Sequence, residues 1–217
     1  MDVEQFKPQS LQHNAYREIK RRIVTLVYRP GEQINTAQIC SQLGIGRTPV
    51  HLAIHRLKTE GLIEILPRRG IVVKSIDRDE MMALIEARHM IEPQVAALAA
   101  VRASDRELAA MRATLDRIAT CLVSGDGEQF MSIDLEFHRM LASAARNRAI
   151  SDFLAGMHEQ CARVYFLSVS TNSHDLRIMD EHQEIFAALV RRDADGAAEA
   201  MRKHIASLRG NVRDILA

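Results

Sequence analysis

Near the start of the chain, apolar positions recur at helical spacing in successive windows, each bounded by residues that stop a helix. Leu11, Ala15, Ile19, Ile23 and Leu26 form one stripe, which predicts a helix over 10–28 with Lys20, Arg21 and Arg22 on its polar side. Those three cations fit either a solvated face or contact with phosphate. Arg29-Pro30-Gly31 breaks the pattern, and Asn35-Thr36-Ala37-Gln38 resembles a capping box that opens a short helix over 36–43. Gly44 then suits a C′ position, which needs positive φ, and Gly46 can cap the next helix, with Pro49 in its first turn. Val50, Ala53, Ile54 and Leu57 give that helix, over 47–60, one buried face. Arg47, Thr48, His51, His55 and Lys58 occupy the other.

Two short β-rich runs come next, Leu62-Ile63-Glu64-Ile65-Leu66 and Ile71-Val72-Val73, joined by Pro67-Arg68-Arg69-Gly70. They predict a hairpin over 62–74 with a basic tip. Two helices joined by a tight turn and succeeded by such a hairpin make a winged helix-turn-helix. In that motif the second helix enters the major groove with its N-terminal residues at base edges. Arg47 is then the strongest base-reading candidate, with Thr48 and His51 beside it. Arg68, Arg69 and Gly70 form the wing tip, where the arginines would hold phosphates.

After Lys74-Ser75-Ile76-Asp77 the pattern stays helical, and Asp77 or Asp79 can cap the first helix of this part. Helices are expected near 78–101, 104–123, 127–145, 148–170, 174–191 and 194–215. Ser104-x-x-Glu107 and Asp126-x-x-Gln129 are good starts. Six helices of this length predict an antiparallel bundle. The fold class is therefore mainly α: a winged helix-turn-helix over 1–75 and a six-helix bundle over 76–217, with residues 1–8 a mobile tail.

Charge sharpens this division. The net charge is only +1, but residues 1–75 hold 12 Lys/Arg against 6 Asp/Glu, and the remainder 17 against 22. Only the first part is built to face phosphate. No run of 18 apolar residues occurs, and the first ten residues have no signal-peptide character, so a cytoplasmic protein without a membrane segment is expected. Cys40, Cys121 and Cys161 are widely separated in apolar helical patterns and read as buried free thiols.

The chain has 9 histidines. His138 comes one helical turn after Asp134, so the two share a face. His182 and His204 each sit among apolar neighbours on later helices. Inward-facing imidazoles are most often hydrogen-bonded core residues, but three of them with a carboxylate also make a ligand set for a divalent metal. Arg88 can pair with Glu92 at i, i+4 or reach a ligand carboxylate. His158 and His174 read as core or exposed residues, with ligand contact the alternative, and His13, His51, His55 and His89 show no metal-ligand spacing.

Residues 30–74, with Pro-Gly-Glu, Leu-Gly-Ile-Gly-Arg-Thr-Pro-Val, Leu-Lys-Thr-Glu-Gly-Leu-Ile and Arg-Gly-Ile-Val-Val, resemble the DNA-binding domain of GntR-family bacterial transcription regulators. Two positions depart from the family pattern. His51 stands where an arginine that helps read the operator is usual, and Leu52 where an acidic residue is usual. The helical remainder resembles the FCD effector-binding domain of the family's fatty-acid-regulator branch, including Arg88 and Glu92-Pro93 near its start. That resemblance implies one divalent metal held by Asp134, His138, His182 and His204. Zinc leads, and nickel, manganese and iron(II) also suit the donors. It further implies a homodimer on a palindromic stretch of double-stranded DNA, acting as a repressor controlled by a small carboxylate effector. A metal-dependent enzyme using the Asp/His₃ set, or a regulator sensing the metal itself, are the alternatives.

Overall fold

The computed structural model describes residues 10–167 and 173–216, with backbone alone at 122–124, 165 and 173–176. The chain divides into two compact units, Met1–Ser75 and Ile76–Ala217.

In the first unit, α1 (Leu11–Val24), α2 (Thr36–Leu43) and α3 (Arg47–Thr59) accompany a sheet of β1 (Gln33–Ile34), β2 (Ile63–Leu66) and β3 (Gly70–Val73). The sheet order is β1-β3-β2 and both pairings are antiparallel, with Glu64 opposite Val72 and Leu66 opposite Gly70. Ile19 and Ile23 of α1 meet Val50, Ala53, Ile54 and Leu57 of α3 in a shared core, closed by Ile39, Leu62, Ile63 and Val73. Gly44 takes φ 64°, and the Ile45 N–H donates to the Cys40 carbonyl, which sets the tight turn between α2 and α3.

Three details differ from expectation. The first helix stops at Val24 rather than Tyr28, because Leu26 adopts φ 58° and the Tyr28 N–H turns back to the Arg22 carbonyl. Leu11, the first residue of the helix, is exposed rather than part of the core stripe. Strand β1 has two residues, too few to show alternation.

The second unit comprises α4 (Arg78–Arg102), α5 (Asp105–Ser124), α6 (Gly127–Ala144), α7 (Arg148–Tyr165), α8 (Ser173–Val190) and α9 (Ala194–Ile215). Side-chain caps start α4 (Asp77), α5 (Ser104, a full capping box with Glu107), α6 (Asp126), α7 (Asn147) and α9 (Asp193). Each satisfies an N–H that has no partner inside its own helix. Helix α4 packs along α9 and also touches α6, α7 and α8. Small residues such as Ala96, Ala99, Ala197 and Ala198 line the buried faces of α4 and α9. The seventh helix ends at Tyr165, short of the expected 170.

Arg146 and Arg192 end their helices at φ 56° and 58°, where glycine is usual. Both guanidiniums then hold the start of α5. Arg146 forms a two-pronged bond to Glu107 at 2.8 and 2.7 Å, and Arg192 bonds Asp105 at 2.9 Å and the Ala103 carbonyl.

The residues expected to form an N-terminal tail lie outside the described ones. Cys121 and Cys161 are buried and Cys40 half-buried, a departure from the expectation that all three are buried; none of the three is in a disulfide. No helix among the described residues is long and apolar enough to cross a membrane.

Core membership in the first unit is testable by truncation. Ile54→Ala should cost about 2–5 kcal/mol in urea unfolding, because it empties a filled site. Leu52→Ala, on the outward face of the same helix and 48% exposed, should stay within about 0.5 kcal/mol. Equal losses at the two positions would mean that the α1–α3 interface is not packed as described.

Candidate metal centre and nucleic-acid interface

Helix α3 presents Arg47, Thr48 and His51 on its exposed first turns. Arg47 and His51 line an open groove with Gln33, Asn35, Thr36 and Gly70, so the start of α3, the start of α2 and the base of the wing face one space. Arg68 (φ 63°) and Arg69 are exposed at the hairpin tip. Arg47, Arg68 and Arg69 make no ion pair among the described residues, so their charge is open to a partner.

The basic trio of α1 behaves differently. Lys20 bonds Glu60 at 2.9 Å, while Arg21 and Arg22 both grip Glu18, at 2.9 and 2.8 Å. The Arg21 hydrogen bond, helped by Arg22, holds the Glu18 carboxyl at about 2. Arg56 lies 3.7 Å over the Tyr16 ring and pairs with Glu60. Lys20 and Arg56 thus brace α1 against α3, while Arg21 and Arg22 are paired within α1, which favours the solvated-face reading of the trio over phosphate contact.

In the helical unit, α6, α8 and α9 bring His138, His182 and His204 together. All three are buried, and one nitrogen from each lies within 4.8 Å of the others. His182 Nε2 is 3.3 Å from His138 Nε2 and 3.5 Å from Asp134 Oδ1. Burial, aided by the neighbouring imidazoles, pushes His138 and His182 well below the ordinary imidazole value. Both are therefore neutral near pH 7, the form whose lone pair binds metal. His204 donates from Nδ1 to Glu181 Oε2 at 2.9 Å, which leaves its Nε2 as the ligand atom.

Sequence reasoning missed a second group beside the first. Glu92, His138 and His158 also place one ligand atom each within 4.8 Å of one another. Glu92 accepts from Arg88 Nε at 2.5 Å and from His158 Nε2 at 2.9 Å, and its Oε2 lies 3.7 Å from His138 Nδ1. Burial opposes ionisation of Glu92, but Arg88 and His158 outweigh it and hold the carboxyl well below the usual range. Arg88 thus makes the helix pair expected from its spacing, and it also lines a cavity of about 80 Å³. Asp134, His138, His158, Glu181 and His204 line the same cavity. The i, i+4 spacing of Arg88 and Glu92 was legible, whereas nothing local marks His158 or Glu181. The His174 side chain falls outside the described residues; His51, His55 and His89 are exposed and His13 half-exposed.

A winged helix-turn-helix unit followed by a helical unit that encloses a mostly apolar cavity with several ionisable groups in its lining is the architecture of a DNA-binding regulator. Residues 11–73 match "Bacterial regulatory proteins, gntR family" and residues 83–207 match "FCD domain". The chain belongs to the GntR family of bacterial transcription regulators, with an FCD domain, and it is a regulator rather than an enzyme. It is similar to the HTH-type transcriptional repressor RspR of Escherichia coli (strain K12), 28% identical over 95% of this chain and 91% of that protein. It is also similar to the Nta operon transcriptional regulator of Aminobacter aminovorans, 27% identical over 84% of this chain and 85% of that protein. Among solved structures, E. coli McbR/YncC shares the fold with a TM-score of 0.87 at 17% identity, covering 97% of this chain and 100% of that one.

Glu92 is the carboxylate that makes burial of Arg88 tolerable. Glu92→Ala should destabilise the helical unit by about 3–5 kcal/mol, because it strands a buried guanidinium. Replacing both residues by methionine should recover most of that loss. A Glu92→Ala cost below about 1 kcal/mol in denaturant titration would show that the pair is not buried as a unit.

Proposed function

We propose that the chain is a repressor that binds a palindromic operator as a two-fold dimer and is controlled by a small carboxylate effector bound beside a divalent metal. It would act in the cytoplasm. The observation that carries this reading is the convergence of three buried imidazoles, two of them held neutral by burial, next to the Asp134 carboxylate.

The donor set fits a metal. Without one, three buried imidazoles crowd nitrogen against nitrogen, with His182 Nε2 3.3 Å from His138 Nε2. Glu181 behind His204 supplies the orienting carboxylate that a metal-binding histidine ordinarily has. Asp134, His138, His182 and His204 would hold the ion. Zinc suits them first, with nickel, manganese and iron(II) also compatible. Bound there, it would offer a positive charge to which an effector carboxylate can attach.

On the DNA side, Arg47, Thr48 and His51 would face base edges, and Arg68 and Arg69, with Gly70 shaping the tip, would hold phosphates. Dimerisation is argued from reach, since one winged unit contacts too few base pairs for useful specificity. The repressor reading is supported by RspR, which carries that description and is similar along almost the whole chain. An effector in the helical unit would act by changing which placement of two DNA-binding units is favoured.

The test is operator binding by fluorescence anisotropy, with sedimentation to establish the dimer. Arg47→Ala should lose about 1–3 kcal/mol against operator and clearly less against random DNA. His182→Ala should keep operator affinity within a few-fold but lose release by small carboxylates. Equal loss of operator and random binding in Arg47→Ala would remove Arg47 from base reading. Full effector response in His182→Ala would remove the histidine cluster from regulation, and release by metal alone would make the ion itself the signal.

A further inference from the structure

Leu52 is a large apolar side chain left 48% exposed on α3. Single exposed leucines are ordinary on protein surfaces. What sets this one apart is its direction. The buried face of α3 is made by Val50, Ala53, Ile54 and Leu57. At about 100° per residue, the direction opposite the centre of that face lies within about 30° of Thr48, Leu52 and His55. All three are exposed. Arg47 and His51 stand on one flank of this crest, where they line the groove shared with the start of α2 and the base of the wing. Arg56 stands on the other flank, turned back over the Tyr16 ring of α1 at 3.7 Å. One flank thus leads to the wing and the other to α1, with Leu52 on the crest between them.

In a helix-turn-helix the outward face of the second helix enters the major groove. Charge points the same way, because the arginines open on this unit, Arg47, Arg68 and Arg69, find their complement in a phosphate backbone. Duplex DNA is therefore what covers Leu52. A leucine side chain offers no donor, acceptor or charge. Of the groups that base pairs show in the major groove, the apolar one is the methyl of thymine, and the others are donors and acceptors. Against those a leucine would displace water from a polar group and return no hydrogen bond, which costs affinity.

We infer that Leu52 is a specificity-determining residue that reads the methyl group of one thymine in the operator. Resting on the placement of α3 in the groove proposed above, it adds an apolar contact to the polar ones of Arg47, Thr48 and His51. The contact requires the methyl and not the rest of the base. It can therefore be removed or supplied on the DNA without changing any hydrogen-bonding group.

The experiment begins with selection of an operator from random duplexes by the full-length wild-type chain. Each thymine of the selected sequence is then replaced singly by deoxyuridine, which lacks only the methyl, and binding is followed by fluorescence anisotropy at one salt concentration. For the wild type, replacement of one particular thymine should weaken binding about fourfold, the worth of one buried methyl. Leu52→Ala, too short to reach the methyl, should bind the two duplexes equally, while Leu52→Met should keep the difference. Exchanging that T·A pair for C·G should weaken wild-type binding, and methylating the new cytosine at its ring carbon should recover part of the loss. Circular dichroism confirms that the variants are folded. Absence of any methyl effect in the wild type, or an undiminished effect in Leu52→Ala, overturns the assignment. In either case a loss in Arg47→Ala that is greater on operator than on random duplex leaves α3 in the groove. Equal loss on both duplexes, without a methyl effect, overturns the groove placement as well.

Discussion

An ionisable side chain can be buried only together with a partner, and the helical unit obeys that constraint around Glu92. Its carboxylate, 2% exposed, answers the Arg88 guanidinium on its own helix and His158 on α7, and it approaches His138 on α6. One residue thereby ties α4 to two other helices by charge as well as by packing. The histidine cluster sits on the other side of His138, shared with α8 and α9. Since α4 packs on α6, α7, α8 and α9, the polar centre and the packing centre of the unit coincide. Side chains on such rigid, mutually braced helices hold a ligand set more firmly than loops can.

The DNA-facing unit solves a different problem. It carries the net positive charge, yet several cations are held by Glu18 and Glu60, and one of them, Lys20, ties α1 to the end of α3. Among the cations left outward, Arg47 lies at the start of α3 and Arg68 and Arg69 at the wing tip. An exposed charge without an internal partner loses little when it exchanges water and counterions for phosphate. The division of labour between paired and open arginines decides which face of the unit can meet DNA.

Much of this was legible in the residues, and the reasons differ by element. The helix-turn-helix announces itself because its turn demands glycine at positive φ and its second helix demands a regular buried face, both local requirements. Three of the six later helices are marked by caps, at Asp77, Ser104 and Asp126. Asp134 and His138 are legible as a pair because one helical turn joins them, and the family resemblance extended the set to His182 and His204. Their proximity, at Nε2–Nε2 3.3 Å for His138 and His182, depends on tertiary packing that no local pattern encodes. The pairing of His158 with Glu92 and the place of Glu181 behind His204 were missed for that reason: each depends on a partner on another helix. The early end of α1 was missed because Leu26 continues the apolar spacing while its backbone turns left-handed.

Regulation through the helical unit requires the buried imidazoles to be a ligand set, and the direct test is metal content of the purified protein by elemental analysis. Protein prepared without chelators and dialysed against metal-free buffer should retain about one divalent ion per chain, and His138→Ala should retain almost none. Fewer than about one ion per two chains in the wild type, or full occupancy in His138→Ala, would contradict the assignment.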